Sequence, residues 1–444
     1  MSDFVIKGGN RLRGEIYIQG AKNEALQVLP AVLLTTEPVY IYNLPDIEDV
    51  RKLIDILKII GVDVRKIGQG SYSFDSSKVT EDRIMTPEFR EAFTHLRGSL
   101  MLVGPLLSRF GVACLPKPGG DKIGIRPITT HERAFIDLGA NVEIKEGYKL
   151  LSGDLKRKIS KRIRLKEASV TGTANAILAS VVGEGIVEIY NAACEPYVQQ
   201  LCKMLNGMGA GIVESHIGSN KLIIHRVSEL KGCSHTVLPD FIEVGSFIAL
   251  AMVLGDGITL KDALNPYLDL DFTLSVFESI GLMYQKDGRD LYIPSHKDGY
   301  EIRQPSSGKP KRVIYDQIWP GLSPDLISVI LVASVFAKGS VDIEQRMFED
   351  RLNFARDLND MGAAITRATS KLVSVYGFGG SKRHLSGKVL DSPDIRAGMA
   401  LLIAALAAEG QSTIRNADQI KRGYQNIVPR LNGLGANIRE FRDL

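Results

Sequence analysis

The sequence predicts an α/β (α+β) protein of two similar domains, each a threefold repeat of strand–helix units with its helices buried. Three observations carry this prediction: a length of 444 residues, a helix-then-glycine motif that recurs six times, and a second, strongly apolar helix motif interleaved with it. A chain this long exceeds what one hydrophobic core organises, so two domains of about 200 residues are the natural division.

The first motif reads apolar–Gly–small or apolar, at Ile60-Gly61-Val62, Leu138-Gly139-Ala140, Met208-Gly209-Ala210, Ile280-Gly281-Leu282, Met361-Gly362-Ala363 and Leu434-Gly435-Ala436. Successive glycines lie 78, 70, 72, 81 and 73 residues apart. Each follows an amphipathic pattern, such as Val50 to Ile60 or Arg351 to Met361, and precedes a short alternating run. That is a helix stopped by glycine in a left-handed cap, then a strand. One such tripeptide is commonplace; six at near-constant spacing are a repeat.

In the second motif an apolar helix passes through a small turn into a strand. Copies end at Asn191, Asp262, Glu344 and Asn416, and looser ones at Asn43 and Pro116. These helices are apolar almost all round, which predicts burial. Units of this length do not stack as a solenoid of 20–50-residue repeats. The boundary is predicted near Cys233 to Thr236, giving a first domain of 22–235 and a second of 1–21 with 236–444. The strands from Phe4 to Ile18 go with the second, because the first full copy starts only after Lys22.

Composition narrows the class. Hydrophobic content of 44% with 24% charge is that of a soluble globular chain. No run approaches the ~18 apolar residues of a membrane span, and the opening lacks a basic-then-apolar signal sequence. Cys114, Cys194, Cys202 and Cys233 form no C-x-x-C pair and read as free thiols. A cytoplasmic protein without membrane contact is expected. No His/Cys/Asp cluster has metal-ligand spacing, and neither a P-loop nor a dinucleotide-binding glycine signature is present, so no metal or cofactor is predicted. The net charge of +4 is mild. A basic run (Lys156, Arg157, Lys158, Lys161, Arg162, Arg164, Lys166) alternates with Ile163 and Leu165 as an exposed or half-buried strand would. It reads as a solvated face or an anion-attracting rim. Without interleaved aromatics it does not suggest nucleic acid.

A set of ordered motifs then runs through nearly the whole chain. In the first half these are Gly20-Ala21-Lys22-Asn23, Leu96-Arg97-Gly98-Ser99, the segment from Pro118 to Pro127, and Ser169-Val170-Thr171-Gly172-Thr173. In the second half they are Leu238-Pro239-Asp240, Ile242-Glu243-Val244-Gly245, Ser323-Pro324-Asp325, Phe348-Glu349-Asp350-Arg351, Asp394-Ile395-Arg396-Ala397 and Arg422-Gly423-Tyr424. With the six-unit pattern, these motifs resemble the enolpyruvyl transferases, and within them the branch that uses UDP-N-acetylglucosamine. The resemblance implies an inside-out α/β barrel in each domain, an active site in the cleft between domains, and a closing loop at 117–127. The implied substrates are phosphoenolpyruvate and UDP-N-acetylglucosamine. Oligomeric state is not legible.

Phosphoenolpyruvate carries a carboxylate and a phosphate of roughly −1.5 to −2 charge, and the nucleotide diphosphate adds more. Guanidinium forks match both groups. The resemblance places Lys22, Arg126 and Arg422 around the phosphate, Arg351 and Arg396 around the carboxylate, and Arg97 on the nucleotide side. It adds Ser169 and Val170 to the substrate-binding set and implies catalytic roles for Lys22, Asp121, Asp325 and Arg396. Asn23 suits a hydrogen bond to the sugar or a helix cap. Asp325 suits a base for the sugar 3-hydroxyl, or the N-cap of the buried helix that follows. His131 is a candidate for the nucleotide side or a structural histidine.

Asp121 stands where many members of the family have the cysteine that fosfomycin alkylates. A carboxylate offers no thiolate, so covalent inactivation by fosfomycin is not expected. As a proton donor, Asp121 feels Lys122 and Arg126 pulling its pKa down and desolvation pushing it up. Other departures are Lys421 before Arg422, Phe241 in place of a common basic residue, and Lys117-Pro118. Two alternatives compete. A shikimate-type transferase would carry Gly-Ser-Lys-Ser where this chain has Gly-Ala-Lys-Asn, and a non-catalytic binding paralogue would not need all of Lys22, Asp325, Arg351, Arg396 and Arg422.

Overall fold

A computed structural model describes residues 2–119, 126–305, 311–379, 381 and 383–442. Six strongly buried helices organise it: α1 (Lys22–Ala31), α2 (Val103–Phe110), α3 (Val170–Ser180), α4 (Phe241–Leu254), α5 (Ile327–Phe336) and α6 (Ile395–Ala407). Every one of the 14 residues of α4 is buried. That is the outcome of a helix apolar on all faces, which has no side to give to water.

The chain forms two compact units, one from Met1–Gln19 and Pro239–Leu444, the other from Gly20–Gly120 and Arg126–Leu238. In the first, α4, α5 and α6 each pack on the other two. In the second, α3 packs on both α1 and α2.

Among the described residues, five sheets have four strands and one has three. In the four-stranded sheets a central strand pairs in parallel with an edge strand on one side and antiparallel with a strand on the other. In three of them the parallel pair brackets an inner helix: Lys161–Arg164 then α3 then Ile186–Tyr190, Arg312–Tyr315 then α5 then Lys338–Glu344, and Val389–Asp391 then α6 then Gln411–Arg415. A helical crossover is what a parallel connection requires. In the remaining two the edge strands are exchanged. Leu12–Tyr17 precedes α1 but pairs with Gly255–Lys261, whereas Ser234–Thr236 precedes α4 but pairs with Val39–Tyr42. Ser2–Lys7 completes the last sheet between Gln411–Arg415 and Ile438–Arg442.

The six glycine caps are present: Gly61, Gly139, Gly209, Gly281, Gly362 and Gly435 have φ between 97° and 114°, where a β-carbon is strained. Asparagine supports the same turn. Asn206, Asn359 and Asn432 each donate to and accept from the backbone of the residue six ahead (Ile212, Ile365 and Ile438). Asn43, Asn191 and Asn416, which close copies of the second motif, adopt positive φ and donate to carbonyls just past the parallel edge strand. Asn tolerates this conformation better than other side chains. One expected helix is shorter than its pattern. The segment from Arg351 turns first, and the helix spans only Ala355–Met361.

The basic run forms the edge strand Lys161–Arg164, with Ile163 and Leu165 buried. Arg162 and Lys158 face Glu188 and Glu184 at 3.6 and 3.4 Å, and Arg164 lies over the Tyr190 ring. Among the described residues no helix is long and apolar enough to cross a membrane, and no group of His, Cys, Asp and Glu is arranged to hold a metal ion.

Candidate active site

The sequence-predicted residues gather at one kind of place in the repeat: the N-terminal ends of inner helices and the loops that follow the central strands. Lys22 and Asn23 open α1, Ser169 and Val170 open α3, and Asp325 and Arg396 lie at the starts of α5 and α6. Arg126, Arg351 and Arg422 lie on the loops. Backbone N–H groups free at helix starts favour anions there.

In the unit containing α4–α6, Asp325 is held between two guanidinium groups. Arg351 Nη2 donates to Oδ1 at 2.5 Å and Arg396 Nε to Oδ2 at 3.1 Å. Both arginines are buried, at 6% and 5% exposure. Asp325 is therefore not the side-chain cap of the helix that follows it. Ser323 caps the turn, accepting from the Asp325 N–H, and the carboxylate is turned to the cations. Burial is the largest single influence on Arg396 and opposes its charge, but Asp325, Tyr424 and Asp240 together outweigh it and the net pKa is raised. Arg396 Nη1 also donates to the Tyr424 hydroxyl at 3.2 Å, and that hydroxyl pairs with Ser246 Oγ at 2.7 Å.

Two cations flank the Asp325 carboxylate, and Asp240 also acts on Arg396. Among the described residues, Arg351 Nε and Gln345 Nε2 are buried donors that meet no acceptor; such groups are expensive unless an acceptor arrives. Asp394 caps α6 through the N–H groups of Arg396 and Ala397, which fixes where the Arg396 side chain starts. Arg422 donates to Gln419 at 2.7 Å. The neighbouring Lys421 is paired with Asp418 and Glu440. Phe241 is buried against Trp319, with ring centroids 5.4 Å apart, so an apolar stack replaces the basic residue common at that position.

In the other unit Lys22, only 7% exposed, meets Asp49 at 2.6 Å. The glycine two residues earlier has a steric reason. A Cβ on Gly20 would lie 1.8 Å from the Asn43 carbonyl oxygen. Asn23 is the second residue of α1 and not its cap, a position Ala21 holds. Arg97 donates to the Arg126 carbonyl at 2.9 Å. Burial, with the Arg126 charge added, lowers the Arg97 pKa to about 10. Ser169 caps α3 through the Gly172 N–H, and Val170 follows as its first residue. His131 is fully engaged, with Nδ1 on Asn175 Nδ2 at 3.0 Å and Nε2 on Thr171 Oγ1 at 3.1 Å. Burial and then the Arg97 charge push it down to about 3, so it is neutral at pH 7. Asp121 lies outside the described residues.

Sequence reasoning passed over Asp49 and Glu195, and named Tyr424 only as part of a motif, with no role. Glu195 caps the helix Pro196–Gly207 by position, its Oε2 is buried without a partner, and burial raises it to about 7. An unfolded glutamate releases its proton near 4.5. Between those two pH values the folded state alone holds the proton, so stability falls as pH rises. Glu195→Gln has no proton to lose. It is expected to flatten this slope and to exceed the parent above pH 8 by on the order of 3 kcal/mol. Urea unfolding at pH 5 and pH 8 reads this directly; parallel pH profiles for the two proteins would refute it.

Solved structures with this fold include the enolpyruvyl transferase NikO from Streptomyces tendae, with TM-score 0.85, 23% identity and coverage of 99% of this chain and 98% of that one. EPSP synthase from Acinetobacter baumannii follows at TM-score 0.72 and 16% identity, covering 100% of both chains. The architecture is thus the enolpyruvyl-transferase fold. Residues 6–431 match the family described as EPSP synthase (3-phosphoshikimate 1-carboxyvinyltransferase). Proteins named UDP-N-acetylglucosamine 1-carboxyvinyltransferase are much nearer in sequence. That of Porphyromonas gingivalis is 48% identical over 439 residues and that of Bacteroides thetaiotaomicron 49% over 438, each alignment covering 99% of both chains. The chain belongs to the UDP-N-acetylglucosamine 1-carboxyvinyltransferase family.

Proposed function

We propose that this enzyme transfers the enolpyruvyl group of phosphoenolpyruvate to the 3-hydroxyl of UDP-N-acetylglucosamine, releasing phosphate by addition–elimination. This is the first committed step of peptidoglycan precursor synthesis, and so would serve cell shape and division from the cytoplasm. The observation that carries the reading is the buried Arg351–Asp325–Arg396 cluster. It pairs a carboxylate able to take a hydroxyl proton with cations able to hold a substrate carboxylate.

In this reading Asp325 accepts the 3-hydroxyl proton as the new carbon–oxygen bond forms. A proton is added at the methylene carbon of phosphoenolpyruvate, with Asp121 as the candidate donor. Lys22, Arg126 and Arg422 hold the phosphate while it leaves, and Arg351 and Arg396 hold the carboxylate. Arg97, Asn23, Ser169 and Val170 serve the UDP-sugar. Fixed cations stabilise charge without reorganising at the moment of reaction.

The test is phosphate release from phosphoenolpyruvate with UDP-N-acetylglucosamine, with shikimate 3-phosphate, or with no acceptor, and the mass of the sugar product. Release confined to the UDP-sugar, with an enolpyruvyl gain in mass, is the expected result. Release with shikimate 3-phosphate would move the assignment to that acceptor, and tight UDP-sugar binding without release would mean a non-catalytic paralogue.

Fosfomycin is expected to leave the enzyme unmodified. Asp121 offers no thiolate, and burial raises all four cysteines, Cys114 and Cys233 to about 11 and Cys202 to about 12. At neutral pH such thiols are protonated and poor nucleophiles. Intact mass after incubation should be unchanged for the parent and should gain one fosfomycin in Asp121→Cys. An adduct on the parent would overturn this.

A further inference from the structure

Gln19 is the last residue of its unit before the chain crosses at Gly20, and it is 7% exposed. Its side-chain amide is used at both ends. Nε2 donates to the Gly423 carbonyl at 2.7 Å, and Oε1 accepts from the Gln425 N–H at 2.6 Å. Its backbone is anchored as well, because its N–H donates to Glu243 Oε2 at 2.7 Å and its carbonyl accepts from the Asp240 N–H at 2.8 Å. Glu243 is in turn clamped by Arg430 at 2.6 Å. Gln19 is therefore a fixed post, and what it grips is the backbone on either side of Tyr424.

That grip falls on the active-site loop. Arg422 directly precedes Gly423, and the Tyr424 hydroxyl receives Arg396, which itself holds Asp325. We infer that Gln19 is a positioning residue for phosphoenolpyruvate binding, setting the Arg422–Tyr424 loop through the two-ended amide contact. The inference rests on the functional reading above. A side chain without polar ends leaves the Gly423 carbonyl and the Gln425 N–H without this partner, and the loop is then held by its remaining contacts, among them those to Asp418, Ile420, Ser246 and Arg396. Gly20 cannot take over the post, since it carries no side chain.

The test compares the parent enzyme with Gln19→Met, which keeps the bulk and removes both contacts, and Gln19→Glu, which keeps only the acceptor. The KM for phosphoenolpyruvate should rise about tenfold in Gln19→Met, while the UDP-N-acetylglucosamine dissociation constant by calorimetry stays within about twofold. Gln19→Glu should lie between Gln19→Met and the parent. If Gln19→Met does not fold, Gln19→Glu is read by the same split. Loss of affinity for both substrates together, or for neither, would overturn the assignment. A parent enzyme that releases no phosphate defeats the functional reading instead, and phosphoenolpyruvate binding to the parent and variants still tests Gln19.

Discussion

Asp325→Asn is expected to lower kcat by roughly 10²–10⁴-fold, the usual worth of a positioned acid–base group. The amide keeps the size of the carboxylate but accepts no proton, and it turns an NH₂ toward one of two guanidinium groups that now meet an acceptor. A second consequence is structural. Removing the anion from between Arg351 and Arg396, which are 7% and 6% exposed at the side chain, should cost about 3 kcal/mol of stability. The two effects separate if activity is measured well below the variant's unfolding temperature and UDP-sugar affinity is measured alongside. A folded variant with kcat within a few-fold of the parent would leave Asp325 as a holder of cations and take the base away from it.

Lys22→Ala should be nearly as damaging, with kcat/KM down about 10²–10³-fold, because on the proposed reading it removes one charge-assisted donor to the transferring phosphate. Lys22 also sits 2.6 Å from buried Asp49, so the single variant removes the ammonium beside a carboxylate and loses stability as well. The double variant Lys22→Met/Asp49→Asn discriminates between these roles. Removing both partners of a buried ion pair is often neutral for stability, so unfolding should return near the parent value while activity stays low. Recovery of activity in the double variant would mean that Lys22 only neutralises Asp49.

Much of this was legible before the fold was known, for reasons tied to particular residues. Glycine is the residue that stops a helix with positive φ at little cost, so six stops at Gly61, Gly139, Gly209, Gly281, Gly362 and Gly435 announced six units. Runs such as that at 247–254 are apolar almost all round, which marks them as interior. The arginines and lysines of the motifs could be named because those motifs resemble the enolpyruvyl transferases, whose anionic substrates suit cations.

Other features belonged to the tertiary structure alone. That the Asp325 carboxylate is held by Arg351 and Arg396, 26 and 71 residues away, could not be read from its own neighbours. Gln19 carried no signal, since its partner Gln425 is 406 residues distant. The exchange of Leu12–Tyr17 and Ser234–Thr236 as edge strands was equally hidden.

The difference is one of range. Backbone conformation and burial follow from a residue's own chemistry and the few neighbours within a turn, so periodicity records them. Ion pairs and hydrogen bonds between distant segments depend on which loops the fold delivers to the same helix start, and no local pattern of residues records that.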